Sequence, residues 1–367
     1  MIRVLIWGRE GNYGPDYPRN RVVFAALRAL GHEVVLFRPM LSFAADSEYV
    51  LRRLPRPDLI WVPCFRQRDV AAASRYAQRH GIPLVFDPLI SAWDKQVNER
   101  GKFAAAGARA QRLLLWERDI FARANLIVAD TAGHADFFHD TLGVPRDRLV
   151  VVPVGAEEEL FVFAPYTVKP ASEPLEAVFF GTFIGLQGVD HLVEAIGRYA
   201  AQPGNPPLRF RLLGDGPLRA ACEARIAEFR RPHPALDVAF EDWRPLAELP
   251  ARLARADFFF GIFGSSAKAQ RVIPNKVYQA LAIGRPVLTA ATPAFGTALQ
   301  QDEEHGFFWC RPGDPDDIAR ALARLVARRQ ALPALAVAAR STYDALYSRR
   351  SVQACVRQAL AAAGAAR

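Results

Sequence analysis

Four cysteines in 367 residues, Cys64, Cys222, Cys310 and Cys355, lie far apart and form no CxxC pair. That spacing excludes a disulfide framework or a zinc ribbon and suits reduced thiols, so a cytoplasmic location is expected. The seven histidines show no HExxH or comparable ligand spacing, and no metal site is expected. No apolar run reaches the roughly 20 residues needed to span a bilayer, and the opening MIRVLIWG is too short for a signal peptide. GxxxxGK followed by Ser or Thr is absent, which disfavours a P-loop enzyme. Gly8, Gly11 and Gly14 follow the first apolar run at every third position rather than as GxGxxG, which disfavours a dinucleotide oxidoreductase. A glycine loop there still admits a ligand close to the backbone, and Gly14 is a candidate contact. Long runs of like charge are also missing, so the net charge of +9 is spread out. No nucleic-acid partner is indicated. The basic excess fits anionic substrates, an anionic membrane face approached from the side, or an arginine-rich background.

What is present is a globular composition, 51% hydrophobic and 23% charged, in a chain long enough for two cores. Apolar runs at 3–8, 32–37, 58–63, 83–87, 125–130 and 148–155 alternate with helical patterns. An irregular proline-bearing segment, PYTVKPASEPLE, interrupts at 165–176. The alternation then restarts with strands at 176–181, 208–214, 235–242, 256–263 and 286–290, and ends in a helix-rich tail. Strands that are nearly all apolar and separated by helices indicate parallel sheets covered on both faces. The expected fold is α/β, with two doubly wound Rossmann-like domains facing a cleft, spanning 1–165 and 166–345. A helix at 346–367 is expected to cross back toward the N-terminal domain.

The stretch from Asp257 to Ala290 carries the densest chemistry. A buried strand leads into a polar glycine-containing loop, Pro274 opens a helix over Asn275 to Ile283, Gly284 stops it, and a second strand follows. Lys268, Arg271 and Lys276 crowd the loop and first turn. Cations and free N–H groups at a helix start suit a phosphate-bearing ligand.

Four strings carry a resemblance: VVVPVGAEEELF (150–161), AVFFGTFIGLQGVDHLVEAI (177–196), RFRLLGDGPL (209–218) and IPNKVYQALAIGRPVLTA (273–290). Together they resemble the GT-B glycosyltransferases of the large retaining family 4, over nearly the whole chain. The resemblance implies a metal-independent transferase without a cofactor that uses a UDP- or GDP-sugar as co-substrate. The donor would sit in the C-terminal domain. A sugar, lipid-linked or small-molecule acceptor would sit in the N-terminal one, and front-face attack would retain configuration. Asn275 falls at the start of what resembles the donor helix.

Departures from the family pattern matter as much. Family members carry two glutamates eight positions apart on the donor segment, the first near the transferred sugar and the second at the ribose. Those positions are Arg271 and Gln279 here. An amide still offers a donor and an acceptor to hydroxyls, whereas a guanidinium does not imitate a carboxylate. The family's diphosphate clamp, an arginine after the loop glycine and a lysine five residues on, maps to Thr182 and Gln187 after Gly181. The clamp is therefore expected to have moved to Lys268, Arg271 and Lys276, because a leaving diphosphate needs its charge neutralised. In the N-terminal domain, Asp87 ends the strand PLVFD where family members often have a histidine. It is the candidate for acceptor or sugar contact, with Tyr13, Asp16 and Arg19 nearby after the first strand and the polar loop 91–103 following. Loss of the glutamates and clamp cations leaves two alternatives open: a non-catalytic GT-B protein that binds a sugar nucleotide or a partner, and a sugar-nucleotide epimerase.

Overall fold

The computed structural model describes residues 1–9 and 17–365. The chain divides into two compact units, residues 1–155 with 349–367, and residues 156–348.

The first unit is a six-stranded sheet built from β1 (Arg3–Trp7), β2 (Glu33–Phe37), β3 (Leu59–Val62), β4 (Leu84–Phe86), β5 (Leu126–Ala129) and β6 (Leu149–Val151). All pairings are parallel, in the order β2-β1-β3-β4-β5-β6. Period-two alternation sorts the apolar runs onto two faces. Leu5, Trp7, Ile60, Val62, Leu84 and Phe86 share one core with residues of the helices Val70–His80 and Ala108–Ala122. Val4, Ile6, Leu59, Trp61 and Val85 share the opposite core with the helix Pro18–Ala29 and with Val352, Val356, Ala359 and Leu360 of the helix Arg349–Ala362. The central strands β3, β4 and β5 are apolar throughout because both faces are buried, whereas the edge strand β2 begins at exposed Glu33.

The second unit repeats the plan with β7 (Leu175–Phe180), β8 (Leu208–Leu213), β9 (Asp237–Glu241), β10 (Phe258–Phe260), β11 (Val287–Ala290) and β12 (Phe307–Cys310). Its order is β12-β11-β10-β7-β8-β9, again all parallel. The order reverses between β7 and β10, and in the first unit between β1 and β3. Ligands of such sheets bind outside the carboxyl ends of the strands at these reversals.

Three differences from expectation have local causes. The unit boundary falls at Gly155, ahead of residue 165, because the segment in between is tied into the second unit. Ala164 N–H donates to Ile283 O at 3.0 Å, and Ala156 N–H reaches the Tyr343 hydroxyl at 3.3 Å. The polar stretch 91–103 begins with a short helix, Ala92–Asp94, and a π-helical turn, Lys95–Glu99. Its start is held by buried Glu117, which accepts from the Ser91 hydroxyl and from the Ala92 and Trp93 N–H groups. Finally, β12 and the helix Arg219–Arg230 add to the second unit. Among the described residues, no helix is long and apolar enough to cross a membrane.

Candidate active site

In the second unit, three loops leave the carboxyl ends of β7, β8 and β10 and interlock through glycines. Gly188 adopts φ of 63°, and a Cβ there would lie 2.5 Å from Gly264 N. A Cβ on Gly264 would in turn lie 2.5 Å from Leu186 O. Only residues without side chains let these backbones approach so closely. The contact is held by Phe263 N–H donating to Gln187 O at 3.0 Å.

The helix Asn275–Ile283 starts at the edge of this cradle, with extended Pro274 preceding it and left-handed Gly284 ending it. Arg285, next in the chain, fastens that end by donating to the carbonyls of Ala256, Ala164 and Ala254. The helix is buried on all sides except at Asn275. Lys276 is only 4% exposed, and its Nζ lies 3.5 Å from the centroid of the Phe179 ring. A Cβ on Gly181 would stand 3.3 Å from that nitrogen, so the ammonium lies directly beside the first glycine of the loop after β7. Among the described residues it has no hydrogen-bond partner. Burial without a compensating carboxylate pushes its pKa well below the ordinary lysine value. The aromatic face offsets part of the desolvation, but an ammonium is fully accommodated only by acceptors or anions.

The other expected donor contacts divide into those brought to the cradle and those set apart from it. Gly181 and Thr182 lead the loop, and the Thr182 side chain is exposed. Gln187 sits at the loop's close approach to Phe263, and its buried Oε1 lacks a partner. Lys268 is buried and Arg271 half-buried in the turn ahead of the helix, whereas Lys276 is the cation placed against Gly181. Gln279 is buried and donates through Nε2 to Glu157 Oε2 at 3.3 Å. Sequence reasoning missed Glu157 as a site residue. It lies within the string 150–161, but three successive glutamates carry no periodic signal to show which one turns inward. Thr292, just beyond β11, was also missed; it is buried and its hydroxyl has no partner.

In the first unit, Asp87 follows β4 and is 1% exposed. Its Oδ2 accepts from Arg19 Nε at 2.9 Å, while Arg19 Nη1 donates to the carbonyls of Val152 and Pro153 at 2.7 and 2.8 Å. Burial raises the Asp87 pKa and the Arg19 charge opposes that rise; in return the carboxylate holds Arg19 firmly protonated. Asp130 accepts a short hydrogen bond from His134 Nδ1 one helical turn later, which accounts for that histidine structurally. Asp87 therefore sits in a buried polar cluster with an ion-pair partner of its own. Gly14, with Tyr13 and Asp16, lies outside the described residues. Among the described residues, no group of three or more His, Cys, Asp or Glu side chains is placed to hold a metal ion.

Comparison with known proteins agrees with this architecture. Residues 3–155 match the family model described as Glycosyl transferase 4-like domain, and residues 174–328 match that described as Glycosyl transferases group 1. No curated protein sequence matches the chain. Among solved structures, HepE from Anabaena, crystallised with UDP, superposes with a TM-score of 0.70 at 15% identity, covering 98% of this chain and 100% of that one. Sucrose-phosphate synthase from Thermosynechococcus elongatus gives 0.68 at 16% identity, covering 97% of each chain. A glycosyltransferase from Rickettsia africae gives 0.67 at 10% identity, covering 98% of each. With a matching model over most of each unit and two six-stranded Rossmann-like sheets, the chain belongs to the family 4-like GT-B glycosyltransferases.

Proposed function

We propose that the protein transfers a sugar, with retention of configuration, from a UDP- or GDP-sugar bound at the glycine cradle of the second unit. The observation that carries this reading is Lys276, a buried ammonium with no hydrogen-bond partner beside Gly181, at the point where the strand order reverses. A diphosphate placed there would satisfy the ammonium and meet the helix start, whose dipole also favours negative charge. As the glycosidic bond to the leaving phosphate breaks, charge grows on that phosphate. A cation already fixed in a dry site lowers the barrier without reorganising. Lys268 and Arg271 supply further positive potential from the preceding turn. Gln279, oriented by Glu157, is placed to meet ribose hydroxyls with its amide. Thr182, Gln187 and Asn275 offer the remaining polar contacts around the loop and helix start. HepE, with its bound UDP, supports the nucleotide choice.

The acceptor is assigned to the first unit. There the Asp87–Arg19 pair acts as a positioning element that fixes the loop after β4, rather than as a group touching the reacting atoms. Titration calorimetry with a panel of nucleoside diphosphates and sugar nucleotides tests the donor assignment. Lys276→Ala is expected to weaken the preferred nucleotide by about 10- to 100-fold, the worth of one charge-assisted hydrogen bond. Unchanged affinity in that variant would remove the assignment.

A further inference from the structure

The first unit contains a cavity of about 850 Å³ that none of the site residues above explains. It is lined by Arg9 just after β1, by residues of the segments after β2, β3 and β4, and by the helix Ala108–Ala122. Among the described residues, Arg9, Arg66, Arg68 and Lys102 line it, opposed by the carboxylate of Asp69. Phe65, Phe103 and Trp116 supply aromatic surface to the same wall.

Three polar atoms of residues lining this cavity, Arg66 Nη2, Asp69 Oδ1 and Gln96 Oε1, are buried without hydrogen-bond partners among the described residues. Asp69 is 2% exposed, and its other oxygen accepts the Arg9 backbone N–H at 3.2 Å. Gln96 belongs to the π-helical turn, a distortion that often marks functional sites. Phe65 and Leu89, the residues that turn the chain after β3 and β4, hold φ of 62° and 60°. Neither is glycine, so both store backbone strain, and Phe65 N–H donates to Pro88 O across the two turns.

We propose that this cavity binds an anionic saccharide, a sugar carrying a carboxylate or a phosphate. Each part of the wall suits one part of such a ligand. Two unpartnered acceptors, on Asp69 and Gln96, call for hydroxyl donors, which a sugar supplies and a bare anion does not. Aromatic faces suit the C–H face of a pyranose ring, and the cations take the acidic group. Among the described lining residues, the excess of positive charge over Asp69 selects against a neutral sugar, because the guanidinium of Arg66 is left with an unpaired nitrogen unless an acceptor arrives. The ligand's role as glycosyl acceptor rests on the transferase reading above; its binding does not.

Calorimetry on the full chain without any donor, using glucuronic acid, glucose 6-phosphate, glucose and inorganic phosphate, tests the inference. Both acidic sugars are expected to bind at least about tenfold more tightly than glucose or phosphate. The double variant Arg68→Glu/Lys102→Glu alters two exposed side chains, so it should melt as the parent does and lose that preference. Asp69→Asn should weaken the sugars but not phosphate. Equal binding of glucose and the acidic sugars overturns the inference. So does phosphate binding as tightly as glucose 6-phosphate, or an unchanged preference in the double variant. Because no nucleotide is present, a failed Lys276 experiment leaves this result standing, and failure here leaves the donor site untouched.

Discussion

The two sheets share a plan and treat buried charge in opposite ways. At the carboxyl edge of the first, Arg19 and Asp87 neutralise each other and Arg19 Nη1 ends on two backbone carbonyls, although Arg19 Nη2 and Asp87 Oδ1 have no hydrogen-bond partner among the described residues. At the same edge of the second, Lys276 is equally buried but faces an aromatic ring and no carboxylate. A buried ion pair cancels its own charge within the fold. A buried lone cation is stable only against something outside it. On the proposed reading, the difference separates a group that shapes a site from a group that takes a ligand.

The largest expected effect tests this contrast directly. Asp87→Ala strands a buried guanidinium and should cost about 3–5 kcal/mol in chemical denaturation of the full chain. Lys276→Met removes a buried amine that has no hydrogen-bond partner among the described residues and should raise the melting temperature, by about 2–4 °C for each kcal/mol recovered. If both variants move stability in the same direction, the distinction between the two edges fails.

A smaller effect concerns the cradle. Gly264→Ala places a methyl against Leu186 O, a backbone atom that has little room to yield. The loops must part, with an expected loss of about 1–3 kcal/mol and weaker nucleotide binding. An alanine variant with parental stability and donor affinity would mean that the close approach is not needed.

The smallest effect is a pH dependence. Burial lowers the Lys276 pKa in the free protein, and a bound diphosphate would raise it again. Between those two values, binding takes up a proton, so affinity falls as pH rises, by at most about tenfold per unit. A nucleotide sugar is the right probe because its diphosphate is esterified at both ends and does not titrate nearby. Calorimetry in buffers of different ionisation enthalpy should detect the proton uptake; a flat profile would mean that Lys276 is not the group facing the phosphate.

Much of this architecture was legible from apolar runs and their punctuation. The helix over Asn275–Ile283 was marked by Pro274 and Gly284, and the first strand by RVLIW, because these signals are local. The strand Phe307–Cys310 was hidden in a run of only four apolar residues between Gly306 and Arg311. The helix Arg219–Arg230 buries only Cys222 and Ile226, too few to set up a visible period. In the site, the residue types near Gly181 were readable, but burial was not. Nothing in the spacing shows that Lys276 turns under the loop, that Gln279 meets Glu157, or that Asp87 is taken by Arg19. Each of these is a contact between residues remote in sequence, fixed only when the strand order is known.

The helix Arg349–Ala362 carries a consequence for how the chain is made. Val352, Val356, Ala359 and Leu360 complete a core whose other members include Val4, Ile6, Val23 and Trp61. During synthesis the first sheet therefore keeps one face incompletely covered while the whole second unit emerges. That second unit is continuous in sequence and can finish its own core beforehand. The usual order, in which the N-terminal domain matures first, is therefore expected to be reversed. The unit begun first is the last to become stable.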